Sequence, residues 1–337
     1  MDTTIVVALI IGLALLFDFL NGMNDAANSI ATVVATRVLT PRVAVAWAAF
    51  FNFAAVFIFG TAVAKTVGKG IVTHDVVNNT MVVSSLLGAI IWTWLCTRFG
   101  LPISVSHSLI GGMIGSALAS KGVHGVIWWP GVGKVAIFIF LAPILGLVLG
   151  TGLMMLSLLF SHRQPPQRVD RIFRSLQLFS AAFYSLGHGS NDAQKVAGLI
   201  TAMLIANHYL PTDSTVPTWV LIMCYSTIAL GTWTGGWRVV RTLGVRVTKL
   251  QPIGGFSAET AAGLTLVFTA ISGIPVSTTH TITGAVMGVG ATRRLSAVRW
   301  GVAGHIVAAW ITTIPACALM SALALYCLRF IGGLVGW

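Results

Sequence analysis

Charge is scarce in this chain. Of its 337 residues only 8% are charged, whereas 56% are hydrophobic. A soluble domain carries roughly 25% charged residues, so an ordinary water-exposed globule is excluded. Acidic residues are scarcest: eight stand against twenty lysines and arginines. The resulting charge of +12 does not mark a nucleic-acid binder, because the basic residues are scattered between apolar segments and form no patch or tail. Cysteine is scarce too. Cys96, Cys224, Cys317 and Cys327 sit in apolar stretches without metal or disulfide spacing, and are expected to pack. No basic run precedes the first apolar segment after Met1-Asp2-Thr3-Thr4, and no small-residue cleavage site follows it. That segment is therefore expected to remain as a span.

What the chain has in abundance is long apolar runs. Residues 43–64, 80–97, 134–160, 217–237 and 302–328 are each long enough for a membrane helix, which needs about 20 apolar residues. The expected fold class is an all-α polytopic membrane protein with about 10–12 membrane segments.

Two motifs occur twice. Gly22-Met23-Asn24-Asp25-Ala26 returns as Gly189-Ser190-Asn191-Asp192-Ala193. Gly100-Leu101-Pro102-Ile103-Ser104-Val105-Ser106-His107 returns as Gly273-Ile274-Pro275-Val276-Ser277-Thr278-Thr279-His280. Same order and similar spacing identify a duplicated unit. The division expected is a first membrane repeat over 1–160, a polar linker over 161–174 and a second repeat over 175–337.

Arg163, Arg168, Arg171 and Arg174 place the linker in the cytoplasm by the positive-inside rule. The basic loops 238–249 and 293–299 belong on the same side, and the loop 207–216, free of Lys and Arg, on the other. Each half then crosses an odd number of times, with 80–120 and 258–291 starting and ending on one face. The halves are inverted, and both termini lie outside. Lys65, Lys69, Lys121 and Lys134 count against this topology. Inverted repeats with broken or re-entrant helices are the architecture of secondary transporters, which bind substrate near the midplane.

Only Asp18, Asp25, Asp192 and Glu259 put carboxylates inside apolar segments. A charge at the bilayer centre costs about 2.5–3.5 kcal/mol, which makes each a functional candidate. Gly-X-Asn-Asp in mid-span predicts an unwound helix, with Asn or Asp capping the part that resumes. The second motif predicts a half-helix start, with proline in its first turn and a serine cap. Four such starts, each about half a positive charge with free N–H donors, would make an anion site. Ser104, Ser106, Ser277, Thr278 and Thr279 add hydroxyls. His107 and His280, without a His-Glu-X-X-His motif or a Cys cluster, are read as hydrogen-bonded positioning residues. Gly111, Gly115, Gly284 and Gly288 are read as close-packing positions. Lys195 stands where the first copy has Asn28, three residues after Asp192, and can pair with a carboxylate or meet an anion. Gln194 replaces Ala27, so the halves differ chemically. Two aspartates beside a dianion leave the site short of positive charge, so cations are expected to enter with the substrate.

These motifs resemble the inorganic phosphate transporter (PiT) family. The likeness rests on Asn21-Gly22-Met23-Asn24-Asp25-Ala26-Ala27-Asn28, on Gly187-His188-Gly189-Ser190-Asn191-Asp192-Ala193-Gln194-Lys195 and on Gly273 to His280, and it extends along the whole chain. It implies secondary active symport of inorganic phosphate with sodium or protons, by a homodimer in a bacterial inner membrane. The resemblance also implies phosphate or cation binding by Asn24, Asp25, Asn191, Asp192 and the two serine-rich motifs, with sodium at the two Asn-Asp pairs. Gly255-Phe256-Ser257-Ala258-Glu259 is similar to a stretch of sodium-coupled members and brings in Glu259. No resident cofactor is implied. Sulfate permeases of the same family are the alternative; phosphate is favoured because a protonated oxyanion can donate to a carboxylate, which sulfate cannot do. An enzyme is disfavoured because the ionisable residues are symmetrically doubled and lack a nucleophile–base pair.

Overall fold

A computed structural model describes residues 3–335; Met1, Asp2 and residues 336–337 lie outside them. Among the described residues the chain is helical, with one isolated bridge between Val72 and Val126. The first half holds α1 (Thr3–Ala35), α2 (Pro41–Ala54), α3 (Ala62–Gly70), α4 (Asn79–Phe99), α5 (Val105–Lys121) and α6 (Gly133–Ser161). The second holds α7 (Pro166–Ala206), α8 (Thr218–Thr234), α9 (Trp237–Arg241), α10 (Pro252–Ile271), α11 (Thr278–Arg293) and α12 (Trp300–Val335).

The protein is a multi-span membrane protein whose polarity is inside out. Large apolar side chains such as Leu9, Phe140, Phe160, Leu319 and Phe330 are exposed, while Asp25, Asn28, His188, Asp192, Lys195 and Glu259 are buried. Within hydrocarbon every backbone polar group must be satisfied internally, which only helices achieve in a bundle such as this. Among the described residues four helical stretches are long and apolar enough to cross alone: Thr3–Ala35, Asn79–Phe99, Trp128–Ser161 and Trp300–Gly332. A fifth candidate is the pair Pro41–Phe57 and Ala62–Gly70, bent by 82°. The predicted span 43–64 thus carries its break at residues 58–61.

The serine-rich motifs make helical hairpins. α4 ends at Gly100 in the left-handed conformation (φ 69°), and after four residues α5 starts with Ser104 as its cap. α10 and α11 repeat the design, with Gly273 at φ 65° and Ser277 as cap. A left-handed residue costs glycine nothing, which is why the motif opens with it. Proline sits differently from the expectation: Pro102 and Pro275 precede the caps by two residues and hold the lead-in extended.

The Gly-X-Asn-Asp motifs do not unwind their helices. α1 and α7 pass through them unbroken, so the four expected helix starts reduce to two. The glycines serve packing instead. A Cβ at Gly22 would lie 2.2 Å from the carbonyl oxygen of Ile228, and one at Gly189 would lie 2.4 Å from that of Asn52. The asparagine and aspartate side chains find partners on other helices, so none is needed as a cap.

The later glycine rows pack closely, as expected. Gly111 and Gly115 bring α5 onto the backbone of α12 at Ile314 and Ala318, and Gly284 and Gly288 bring α11 onto α6 at Pro143 and Leu147. Each half's capped helix therefore lies against the other half's last helix. The polar segment 161–174 is mostly the exposed start of α7, with a turn at 162–165. Three cysteines are buried, whereas Cys327 is exposed and does not pack.

Candidate functional site

α1 and α7 bring Asp25 and Asp192 together beside the start of α11. The Thr278 hydroxyl donates toward both carboxylates, at 3.3 Å from Asp25 Oδ2 and 3.2 Å from Asp192 Oδ2. One hydroxyl proton cannot satisfy both at once. The Thr279 hydroxyl lies 3.3 Å from Asp25 Oδ1 as donor, and Asn28 Nδ2 donates to Thr279 Oγ1 at 2.9 Å. These threonines are the first two residues of α11, so Asp25 also lies at a helix N-terminus, where negative charge is stabilised.

The two aspartates are not equivalent. Asp192 is matched by a cation: Lys195 Nζ lies 2.6 Å from Oδ1, while His188 Nε2, which has no hydrogen-bond partner, lies 3.1 Å from Oδ2. Lys195, one turn on, also donates to the Val276 carbonyl at 2.8 Å and to the Ser106 hydroxyl of α5. The lysine thus joins both capped hairpins to α7. Asp25 has no basic partner nearer than His188 Nε2, at 4.0 Å. Asn52 holds that imidazole from the other side: its Oδ1 is 3.1 Å from His188 Nδ1, and its Nδ2 donates to Thr232 Oγ1 at 2.9 Å. If Nδ1 carries the proton, Nε2 turns its lone pair to the aspartates. One ligand atom each from Asp25, His188 and Asp192 lie within 4.8 Å of one another, a grouping able to hold a cation.

The remaining residues singled out in the sequence occupy five other places. Glu259 anchors a separate buried knot, accepting from Thr32 at 2.6 Å, from Gln177 at 2.9 Å and from Ser180. His107 and His280 meet edge to face with centroids 4.8 Å apart, and His280 stacks on Trp310 at 3.8 Å. His280 Nδ1 lies 3.3 Å from the Ile139 carbonyl, while His107 Nδ1 is buried without a partner. Asn24 donates to Thr97 of α4 at 2.7 Å. Asn191 turns toward α10, donating to the Leu266 carbonyl at 2.9 Å. Each of these asparagines keeps a buried, unpartnered Oδ1. Gln194 points to the start of α3, where its Oε1 accepts from the amides of Val63 and Ala64 at 3.0 and 3.3 Å.

Ser104 and Ser277 act as caps, each accepting from the amide three residues on at 3.2 Å. Replacing Ser277 with Ala removes a cap worth about 1 kcal/mol and frees the threonines that approach Asp25. The variant is expected to melt a few degrees lower and to lose transport more than stability. A melt and an uptake assay on the same preparation check both.

Sequence reasoning gives no role to His188, to Asn52 or to Tyr184, whose buried hydroxyl donates to the Thr278 carbonyl at 3.4 Å. His188 lies four residues before Asp192, a spacing that puts both on one helix face and would have found it. Asn52 carries no charge and belongs to no repeated motif, so only packing reveals it.

The family profile described as "Phosphate transporter family" matches residues 21–321 of this chain. A probable low-affinity inorganic phosphate transporter of Rhizobium meliloti is 52% identical over 97% of this chain and 98% of its own length. One of Bacillus subtilis is 37% identical over 98% of this chain and the whole of its own length. A solved structure, "The sodium-dependent phosphate transporter", superimposes with a TM-score of 0.86 at 27% identity, covering 97% of this chain and 99% of that one. The chain belongs to the phosphate transporter family.

Proposed function

We propose that this protein carries inorganic phosphate across the membrane by secondary active symport with cations, and that the Asp25–His188–Asp192 cluster takes sodium. The observation that supports this best is the imbalance between the two aspartates. Lys195 neutralises Asp192, whereas Asp25 faces hydroxyls and a helix start. Two carboxylates and one lysine leave about one negative charge. Phosphate at pH 7 adds about one and a half more, and the starts of α5 and α11 together offer about one positive charge. The site then lacks between one and two unit positive charges. Cations are therefore part of the binding reaction: without them Asp25 repels the anion, and with them it holds it. That dependence is coupling.

The hydroxyls of Thr278 and Thr279, the Asn28 amide and Ser106 are the donors we assign to phosphate. Glu259, Asn24, Asn191, His107 and His280 line the path around them, and Gln194 fixes α3 beside it. The 1–160 and 175–337 halves act as inverted repeats, as the exchange of last helices between them supports, with the 161–174 segment cytoplasmic and both termini outside. On that topology Lys65, Lys69 and His74, which line a cavity of about 110 Å³ with Asp213, form an external vestibule attractive to anions.

The test is radiolabelled phosphate uptake into proteoliposomes under an imposed sodium gradient. Accumulation is expected to rise with the inward gradient, to collapse with a sodium ionophore, and to be displaced by unlabelled phosphate but not by equimolar sulfate. Equal accumulation with no driving cation would remove this function.

A further inference from the structure

Asp18 is the one buried carboxylate among those described that the phosphate site does not use. It lies on α1 two turns before Asp25, on the face turned to α7 and α8, and is fully buried. No hydrogen bond of normal geometry reaches either of its oxygens, and the one polar side chain that approaches them is that of Asn21. Asn21, one turn along the same face, also keeps a buried, unpartnered Oδ1. The surroundings are apolar: Phe17, Cys224, Tyr225 and Ile228 belong to one continuous core. The matching position on α7 is Ser185, whose buried hydroxyl is unpartnered too but cannot carry charge.

An ionised carboxylate with no donor and no cation is among the costliest groups to bury. The nearby charges do not relieve it. From α8 the titratable residues facing it are Cys224 and Tyr225. From α7 the group that reaches it is Asp192, a like charge whose partner Lys195 is already engaged. α4, packed on the same helix, carries only Cys96 and Arg98 as titratable residues, with Arg98 at its far end; α2 carries only Arg42, at its start. On α1 itself the other acid is Asp25.

We propose that Asp18 is a second cation-accepting group of this transporter, a proton site separate from the Asp25–Asp192 cluster, filled while α1, α7 and α8 are packed together and emptied when that seam opens to water. This rests on the cation-coupled reading above and adds a second ion to it. A proton suits the place better than a metal ion, because α1 and α8 touch backbone to backbone nearby. Beyond the 2.2 Å approach at Gly22, a Cβ at Gly231 would stand 2.1 Å from the Phe19 carbonyl oxygen. A metal ion needs room and a shell of oxygens, whereas a proton needs one lone pair.

Two experiments on the full-length protein test the proposal. Proteoliposomes loaded with a pH dye report protons entering per radiolabelled phosphate at a fixed pH. Asp18→Asn is expected to lower that ratio by about one proton and to flatten the rise of uptake as external pH falls, and Asp18→Glu to restore both. An unchanged ratio and pH profile in Asp18→Asn overturns the site. The second experiment needs no variant. Dicyclohexylcarbodiimide reacts with protonated carboxyls in apolar membrane sites, so peptide mapping of the unaltered protein is expected to find an adduct on Asp18 that fades as pH rises. Labelling of Glu259 without labelling of Asp18 overturns the proposal. Absence of phosphate uptake by the unaltered protein would instead overturn the phosphate reading, and the two failures are thereby distinguished.

Discussion

Replacing Asp25 with Asn is expected to abolish sodium-driven phosphate uptake while leaving a protein that purifies normally and melts no lower than the original. The side chain is nearly isosteric, and its remaining carbonyl oxygen still accepts from Thr278 or Thr279. What is lost is the carboxylate that no lysine neutralises. A drop of at least 100-fold in cation-driven uptake corresponds to about 2.7 kcal/mol of lost stabilisation. A ligand that binds only the folded state raises its stability, by about 2.7 kcal/mol at 100 times its dissociation constant. Sodium should therefore raise the melting temperature of the original protein and fail to raise that of Asp25→Asn. Near-normal uptake, or an undiminished sodium shift, would show that the cation binds elsewhere. The effect on stability without sodium has a definite sign. Removing one of two facing negative charges relieves repulsion, so the variant should be as stable as the original or slightly more so.

How far these residues could be foreseen differs from one to the next. Asp25, Asp192, Thr278 and Thr279 were found because each belongs to a motif that occurs twice, and duplication in a transporter chain points to a shared central cavity. The chain's own pattern also locates the hairpins: Gly100 and Gly273 need left-handed backbone, and the serine four residues later caps the second helix of each hairpin. The helix breaks expected at Gly22 and Gly189 failed for a physical reason. A glycine beside two polar residues weakens a helix locally, but the same glycine allows another backbone to approach within van der Waals contact. Which effect wins depends on a neighbour, Ile228 or Asn52, that lies far away in sequence. Gln194 illustrates the same limit. It differs from Ala27 in the other copy and stands among the binding candidates of the repeated motif, yet adjacent residues on a helix point about 100° apart, and its amide reaches α3 instead. The bend between α2 and α3 was hidden inside a run that looked like one span, because hydropathy records burial but not direction.

Lys195→Met should be the most destabilising single change in the site. The methionine keeps the length and apolar stem of lysine but removes the ammonium that holds Asp192, Val276 and Ser106. Breaking a buried ion pair from one side costs about 3–5 kcal/mol, because the remaining charge is left without its partner. The expected result is a large fall in melting temperature together with loss of uptake. A cycle with Asp192→Asn separates the two effects. With both charges gone no buried ion is stranded, so the double variant should melt above Lys195→Met alone while remaining unable to transport. If the losses of the two single variants simply add, the lysine acts through its bond to the Val276 carbonyl at the lead-in of α11 and not through its charge. Recovery of stability without recovery of uptake would identify Lys195 as the residue that keeps one aspartate neutralised in place, so that the unmatched negative charge is concentrated on Asp25, where an arriving cation can meet it.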